Sequence, residues 1–452
     1  LNKMGAKINK NFRVLQGNWV FGEVTKQKKA FMAAHPDVEV CDLGVGNTKL
    51  PLASVISRAM GMANGGLTKL SEGRLPLFMG ELSNLIVEAG YHQYTGYGIE
   101  QGNPVLRRMI AEDYKRFGVD LDFDEIFVSD GAKCDVGNIQ MLFSAKSIPS
   151  TQFADECTEV HSLTPVNRVA LQDPAYPAYE ASNVVAGRSG EFDEDKLQYE
   201  GMLYLPCTAE NGFFPDLSDV DAELLYLCSP NNPTGAVASR EQLTTAVDWA
   251  RERKNIIIFD SAYGCFISEG GVPHSIYEIP GAKECAIEIN SFSKSAGFTG
   301  VRLGYSVVPK ELVCEDSGEE ELNKMWSRRQ ATFFNGASNV SQAGGIAALT
   351  QQGRAECALI NAKYMRNATI LREGLMELGF ETHGGVNAPY VWVKTPNGES
   401  SMDYFNTLLD EGVIVVPGSA FGPSGEGYFR CSAFATDDSA AKGALEIIAE
   451  MK

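Results

Sequence analysis

Residues 291–305 read SFSKSAGFTGVRLGY, and Ser291, Ser293, Lys294 and Arg302 share this one short segment. A lysine amine condenses with an aldehyde, while hydroxyls and a guanidinium hold a dianionic phosphate. The set therefore suits a phosphorylated aldehyde. Upstream, NIIIFDSAYG (255–264) ends an apolar run on Asp260. A carboxylate there is costly to bury unless it is paired. A protonated ring nitrogen would pair it, and the cationic ring would act as an electron sink. Tyr263, three residues on, could donate to a phenolic oxygen, and Asn232 in LCSPNNPTGA (227–236) could point its amide at the same atom. The Asn-Pro and Thr-Gly steps of that segment force a turn. FVSDGAKCD (127–135) places Ala132 and Lys133 where backbone N–H groups could meet a phosphate at a helix start. DPAYPAY (173–179) offers Tyr176 to stack on a ring. Taken singly, these read equally well as a surface lysine, a strand-end carboxylate and plain turns. Their series, each member after a strand, carries the reading.

Elements of two kinds must position these groups. Residues 104–117, PVLRRMIAEDYKRF, put Leu106, Met109, Ile110, Tyr114 and Phe117 on one helical face, and 240–253 do the same with Leu243, Val247 and Ala250. Between such helices lie EIFVSD, ELLYLCSP, NIIIFDSAY, CAIEINSFSK and VRLGYSVVP. These short, Ile- and Val-rich runs do not alternate with polar residues, as expected of strands buried on both faces of a parallel sheet. The alternation predicts an α/β fold. Open sheets of this kind bind ligands outside the carboxyl ends of their strands, so the polar signals should converge. We expect an N-terminal arm and part of a small domain over 1–75, a large domain over 76–325, and the rest of a small α+β domain over 326–452. The acidic run CEDSGEEELNK (314–324) would mark the last boundary before a helix.

Composition narrows the partners. The 452 residues carry a net charge of −19, which repels nucleic acid and anionic membranes. Ten cysteines include no CxxC pair and only five histidines are present, so no metal site is expected. Cysteines inside apolar runs, such as Cys228 and Cys265, read as core residues of a reducing compartment. No apolar run reaches the length of a membrane span, and LNKMGAKINKNF lacks a signal-peptide core. The expected compartment is the cytoplasm, or the plastid stroma if an upstream transit peptide has been removed.

The Asn-Pro-x-Gly, Asp-x-x-Tyr and Ser-x-x-Lys…Arg series resembles fold-type I pyridoxal-5′-phosphate (PLP) enzymes of the aspartate-aminotransferase class. That resemblance implies a large domain whose mostly parallel sheet lies between helices, plus a smaller α+β domain built from both termini. YTGYGIEQG (94–102), SDGAKCD (129–135), QDPAYPAY (172–179), ENGFFPDLS (210–218) and FNGASNVSQAG (334–344) sharpen it. With these, the chain is similar to the LL-diaminopimelate aminotransferases from about residue 5 onward. Their reaction exchanges LL-2,6-diaminopimelate and 2-oxoglutarate for tetrahydrodipicolinate and glutamate, in lysine biosynthesis.

The resemblance implies the residue roles. Lys294 bonds the cofactor and then moves the α-proton, Asp260 pairs with the pyridine nitrogen, and Asn232 and Tyr263 hold the phenolic oxygen. Tyr176 stacks on the ring. Ala132, Lys133, Ser291, Ser293 and Arg302 bind phosphate. Arg430 takes the substrate α-carboxylate, because a planar guanidinium matches a carboxylate bidentately. Gly46, Lys133 and Asn232 line the substrate pocket. A homodimer shares its sites, with Tyr97, Glu100 and Asn335 reaching the neighbouring subunit, Tyr97 to the phosphate. The chain also departs from the family pattern. Trp19-Val20-Phe21-Gly22-Glu23 stands where Tyr-Leu-Phe-Pro-Glu is expected, and Gly46-Asn47-Thr48-Lys49-Leu50-Pro51 where Gly-Asp-Thr-Thr-Glu-Pro is expected. The stretches 60–94 and 144–167 look longer than usual. Trp19 and its neighbours would shape the distal pocket, so lysine or an aromatic amino acid is an alternative substrate. A PLP lyase and a non-catalytic PLP-fold regulator are further alternatives, although no DNA-binding extension is visible.

Overall fold

The computed structural model describes residues 9–15, 19–38, 40–66, 80–91, 96–145, 167–314 and 316–451. Much of the two long stretches, 60–94 and 144–167, lies outside them. Thirteen strands matter here: β1 (Cys41–Asp42), β2 (Ile126–Ser129), β3 (Val169–Asp173), β4 (Met202–Pro206), β5 (Leu224–Cys228), β6 (Ile256–Asp260), β7 (Ala286–Ser291), β8 (Gly304–Val307), β9 (Thr382–Gly384), β10 (Tyr390–Lys394), β11 (Val413–Ile414), β12 (Val416–Pro417) and β13 (Tyr428–Ser432).

The seven-stranded central sheet runs β2-β8-β7-β6-β5-β3-β4. Strands β3 to β7 pair in parallel, and β8 runs antiparallel between β2 and β7. The segment VRLGYSVVP thus forms a buried strand, but against the direction of its neighbours. The absence of alternation has its physical cause in burial on both faces. Leu225, Leu227, Ile257 and Phe259 pack into one cluster, and Leu224, Tyr226, Ile256 and Ile258 into another. Each fully buried side chain of this size contributes about 1.5–3 kcal/mol.

Seven helices cover the sheets or frame the site: α1 (Trp19–Ala34), α2 (Ser54–Gly61), α3 (Pro104–Tyr114), α4 (Ala132–Asn138), α5 (Arg240–Arg253), α6 (Asn339–Leu349) and α7 (Gln351–Glu377). Helix α5 starts on a capping box, in which Ser239 Oγ accepts from Gln242 N–H and Gln242 Oε1 accepts from Ser239 N–H. Its Leu243, Val247 and Ala250 are fully buried. Helix α3 ends at Tyr114, and a tighter turn over Lys115–Phe117 follows.

A smaller sheet, β9-β10-β13-β12, forms the second lobe, with β1 paired in parallel to β11 beside it. Packing crosses the boundaries expected at 75 and 325. Val55, Ile56 and Ala59 of α2 and Ala343, Ile346 and Ala347 of α6 belong to the core of the large sheet. Helix α7 spans both lobes, with Cys357 in the large core and Ala368, Leu371 and Leu375 in the small one. Among the described residues, no helix is long and apolar enough to cross a membrane.

Candidate active site

A cavity of about 540 Å³ opens beyond the carboxyl ends of β5, β6 and β7, walled on the other side by Ile414, Val416 and Arg430 of the small lobe. The topology explains the place. Parallel strands deliver Cys228, Asp260 and Ser291 to the same edge, and the residues that follow each strand turn into the space above it. Lined by Gly46, Ala132, Lys133, Tyr176, Asn232, Asp260, Tyr263, Ser291, Ser293, Lys294, Arg302 and Arg430, it gathers segments spread over nearly four hundred residues.

Lys294 follows β7 in a single helical turn and is buried. Its amine donates to the Gly46 carbonyl and lies 4.8 Å from the centre of the Phe434 ring. Burial, and next the Arg430 cation, push its pKa down to about 7. Asp260 is buried at the end of β6, where Tyr179 Oη donates to Oδ2 at 2.7 Å and Ala262 N–H to Oδ1 at 2.9 Å. Burial raises its pKa, and those two donors oppose the rise. Tyr263 shares a 2.7 Å hydrogen bond with the Tyr390 hydroxyl. Asn232 Oδ1 accepts from Arg430 Nη1 at 2.7 Å, and the Gly44 carbonyl from Arg430 Nη2 at 2.8 Å. The Arg430 guanidinium lies between rings, 4.5 Å from the centre of Tyr390 and 4.8 Å from that of Phe421.

The opposite corner is built for an anion. Arg302 Nη1 donates to Ser293 Oγ at 3.1 Å, and Ser293 N–H to Ser291 Oγ at 3.0 Å. Gly131 just precedes α4 with φ +120°, and a Cβ there would run into the Arg302 guanidinium. A Cβ on Gly304 would lie 2.6 Å from Gly131 Cα, so the two backbones meet directly. Tyr176 sits between the ends, with the Lys133 ammonium 6.0 Å from its ring centre.

These residues fit PLP. The glycine-lined corner beside Arg302, Ser291 and Ser293 suits a phosphate, and the buried Asp260 suits a protonated ring nitrogen. Lys294 is a buried amine of lowered pKa, suited to bond an aldehyde. Arg430 Nε is buried without a hydrogen-bond partner among the described residues, a donor that a bound carboxylate could satisfy.

Residues 90–448 match the family model "aminotransferase class I and II". An LL-diaminopimelate aminotransferase of Agathobacter rectalis is 45% identical over 444 residues, which span 98% of this chain and 99% of that one. The chain belongs to the LL-diaminopimelate aminotransferase family. A solved L,L-diaminopimelate aminotransferase from Chlamydomonas reinhardtii superposes with a TM-score of 0.84 and 39% identity over 100% of both chains. A mutant aspartate aminotransferase from Thermus thermophilus shares the fold, with a TM-score of 0.76, 21% identity, and 99% and 100% of the two chains covered. Like the rest of its class, this aminotransferase is PLP-dependent.

Not every expected site residue enters the cavity of its own chain. Tyr97 and Asn335 are exposed, Glu100 is half-buried, and none of them lines it. Their segments adjoin, because Asn339 Nδ2 donates to the Gly96 carbonyl at 3.0 Å. Trp19 opens α1, and its side chain lies outside the described residues. Sequence reasoning missed Tyr179, Tyr390 and Phe421, together with Val24, Thr25 and Lys28 of α1. Tyr179 stands three residues after Tyr176 and could have been named with it. Tyr390 sits in the apolar run YVWVK and reads only as core.

Proposed function

We propose that this aminotransferase exchanges the amino group of LL-2,6-diaminopimelate with the oxo group of 2-oxoglutarate, giving tetrahydrodipicolinate and glutamate, and runs in either direction. The likeness along the whole chain to LL-diaminopimelate aminotransferases, at 45% identity, carries this reading. When bound, PLP supplies an aldehyde that exchanges amines and a ring that takes up the electron pair left at Cα. The chain's own residues do the rest. Lys294 is the nucleophile and then the base that moves the α-proton, and a pKa lowered to about 7 leaves its amine about half neutral at pH 7 and mostly neutral above it. Asp260, held by Tyr179, would keep the ring nitrogen protonated. Tyr263 and Asn232 would hold the ring oxygen, and Tyr176 would stack on the ring. Arg302, Ser291, Ser293 and the Ala132–Lys133 backbone would hold the phosphate. Arg430, steadied by Asn232 and the Gly44 carbonyl, takes the α-carboxylate.

In the same proposal a homodimer completes each site, with Tyr97, Glu100 and Asn335 reaching the partner. The exposure of Tyr97, Ile99 and Phe333 supports it. We place the enzyme in the cytoplasm, or in the plastid stroma where a transit peptide has been removed.

The test is a donor panel with 2-oxoglutarate as acceptor, comparing kcat/KM for LL-diaminopimelate, its meso isomer, lysine and aromatic amino acids. LL-diaminopimelate is expected to be best, and Trp19→Tyr to raise its value. Restoring a hydroxyl to a distal polar group is worth ~1–3 kcal/mol, or roughly 5- to 150-fold. If lysine or an aromatic amino acid outperforms it in the parent enzyme, the donor assignment fails while the family stands.

A further inference from the structure

The chain carries −19 overall, yet among the described residues the cavity is lined by the basic side chains Lys28, Lys133, Lys294, Arg302 and Arg430 against the carboxylate of Asp260. A cleft of one sign inside a molecule of the other concentrates anions. Three of these side chains already have duties: Lys294, as a neutral amine, at the reacting carbon, Arg302 at phosphate and Arg430 at the α-carboxylate. The Lys133 ammonium stands off the Tyr176 ring. Lys28 has no assigned role. A substrate with a second carboxylate brings one more anion into the cavity, and that anion needs a donor.

Lys28 is well placed to supply it. It lines the cavity from α1, one turn beyond Val24 on the same helical face. Its ammonium lies 2.7 Å from Asp42 Oδ2, and the Lys49 ammonium 3.9 Å from the same oxygen. Two ammonium groups share one carboxylate, so the cluster keeps a net positive charge. An ammonium has three donors, and Asp42 occupies one of those on Lys28. Asp42 Oδ1 accepts from Gly44 N–H at 3.2 Å, and the Gly44 carbonyl is the one that holds Arg430. Lys28 is therefore tied through Asp42 to the backbone turn that holds the α-carboxylate arginine. That tie sets a spacing between the two cations and removes part of the entropy cost of ordering a lysine.

We infer that Lys28, oriented by Asp42 and reinforced by Lys49, is a specificity-determining residue that receives the distal carboxylate of dicarboxylic amino acids and their 2-oxo acids. The inference rests on the transamination reading but not on diaminopimelate as donor. If the donor panel fails and the test below succeeds, only the donor is wrong.

The test uses PLP-loaded Lys28→Gln and Lys28→Arg. Acceptor kcat/KM is measured for 2-oxoglutarate and for 2-oxopentanoate, which has the same carbon count and no distal carboxylate. In Lys28→Gln the ratio of the two should fall about tenfold, the low end for a hydrogen bond to a charged group, because Lys28 is partly exposed. The loss should sit mainly in KM. Lys28→Arg should keep most of the ratio. Equilibrium binding of glutarate relative to valerate, followed by the cofactor's absorbance, should shift in the same sense and does not depend on turnover. A ratio changed by less than about threefold in Lys28→Gln, or an equal loss in Lys28→Arg, overturns the assignment.

Discussion

At the scale of single residues, Lys294 shows how environment makes an ordinary side chain reactive. A lysine in water is neutral only above about pH 10.4. Burial, then Arg430, lower this one to about 7, so the neutral, nucleophilic amine dominates above that pH. PLP uptake by the cofactor-free enzyme should therefore speed up as pH rises through about 7 and level off beyond it, followed by visible absorbance. A rate still climbing steeply between about pH 8 and 10 would place the amine at its ordinary pKa and contradict the shift. Lys294→Ala should abolish the pH-sensitive absorbance band and nearly all turnover. The lysine and the aspartate were legible in the sequence because each closes or follows a recognisable strand, Arg302 because it shares the lysine's segment, and Arg430, in mid-strand, only through the family resemblance. The partners of Tyr179 and Tyr390 were not. Their hydrogen bonds reach Asp260 across 81 residues and Tyr263 across 127, and no local pattern encodes such a pairing.

At the scale of elements, the site depends on how tightly β8 and the β2–α4 turn can approach. Gly131 adopts φ +120°, a conformation that L side chains avoid, and a Cβ would strike Arg302. Gly131→Ala should cost ~1–3 kcal/mol through the backbone and push Arg302 off its position beside Ser293. The expected result is PLP affinity weakened by roughly tenfold or more, ~1.4 kcal/mol, read by absorbance titration of the cofactor-free protein. An affinity within about twofold of the parent would show that Arg302 is not held by this contact. Strand positions were readable from the apolar runs. The antiparallel direction of β8 was not, because a strand buried on both faces has the same composition in either direction. The packing of α2 and α6 onto the large sheet was likewise hidden, since an apolar helix face does not name the surface it will cover.

At the scale of the whole molecule, each active site is expected to need two chains. Tyr97 and Asn335 are exposed and stand outside the cavity of their own chain, on adjoining segments. A C₂ interface would carry such a patch across to the neighbour's site. Mixing Lys294→Ala subunits with Tyr97→Phe/Asn335→Ala subunits should restore activity, because hybrids contain one site with both sets intact. Verified hybrids that stay as inactive as either parent would rule out a shared site.

The sequence by itself determined the α/β class and the PLP-dependent aminotransferase family, and it named most of the candidate residues that the cavity gathers. Strand ends punctuated by Asp260, Asn232 and Lys294 are local features, and local features survive in one dimension. Only the tertiary structure decided which of these groups touch. It placed Arg430 against Asn232, 198 residues away, and brought α1 to the cavity so that Lys28 faces it. It set Asp42 to hold both Lys28 and the Gly44 turn. Those contacts depend on how two lobes close over one sheet edge. They arise from the packing of distant apolar surfaces and not from the spacing of residues along the chain.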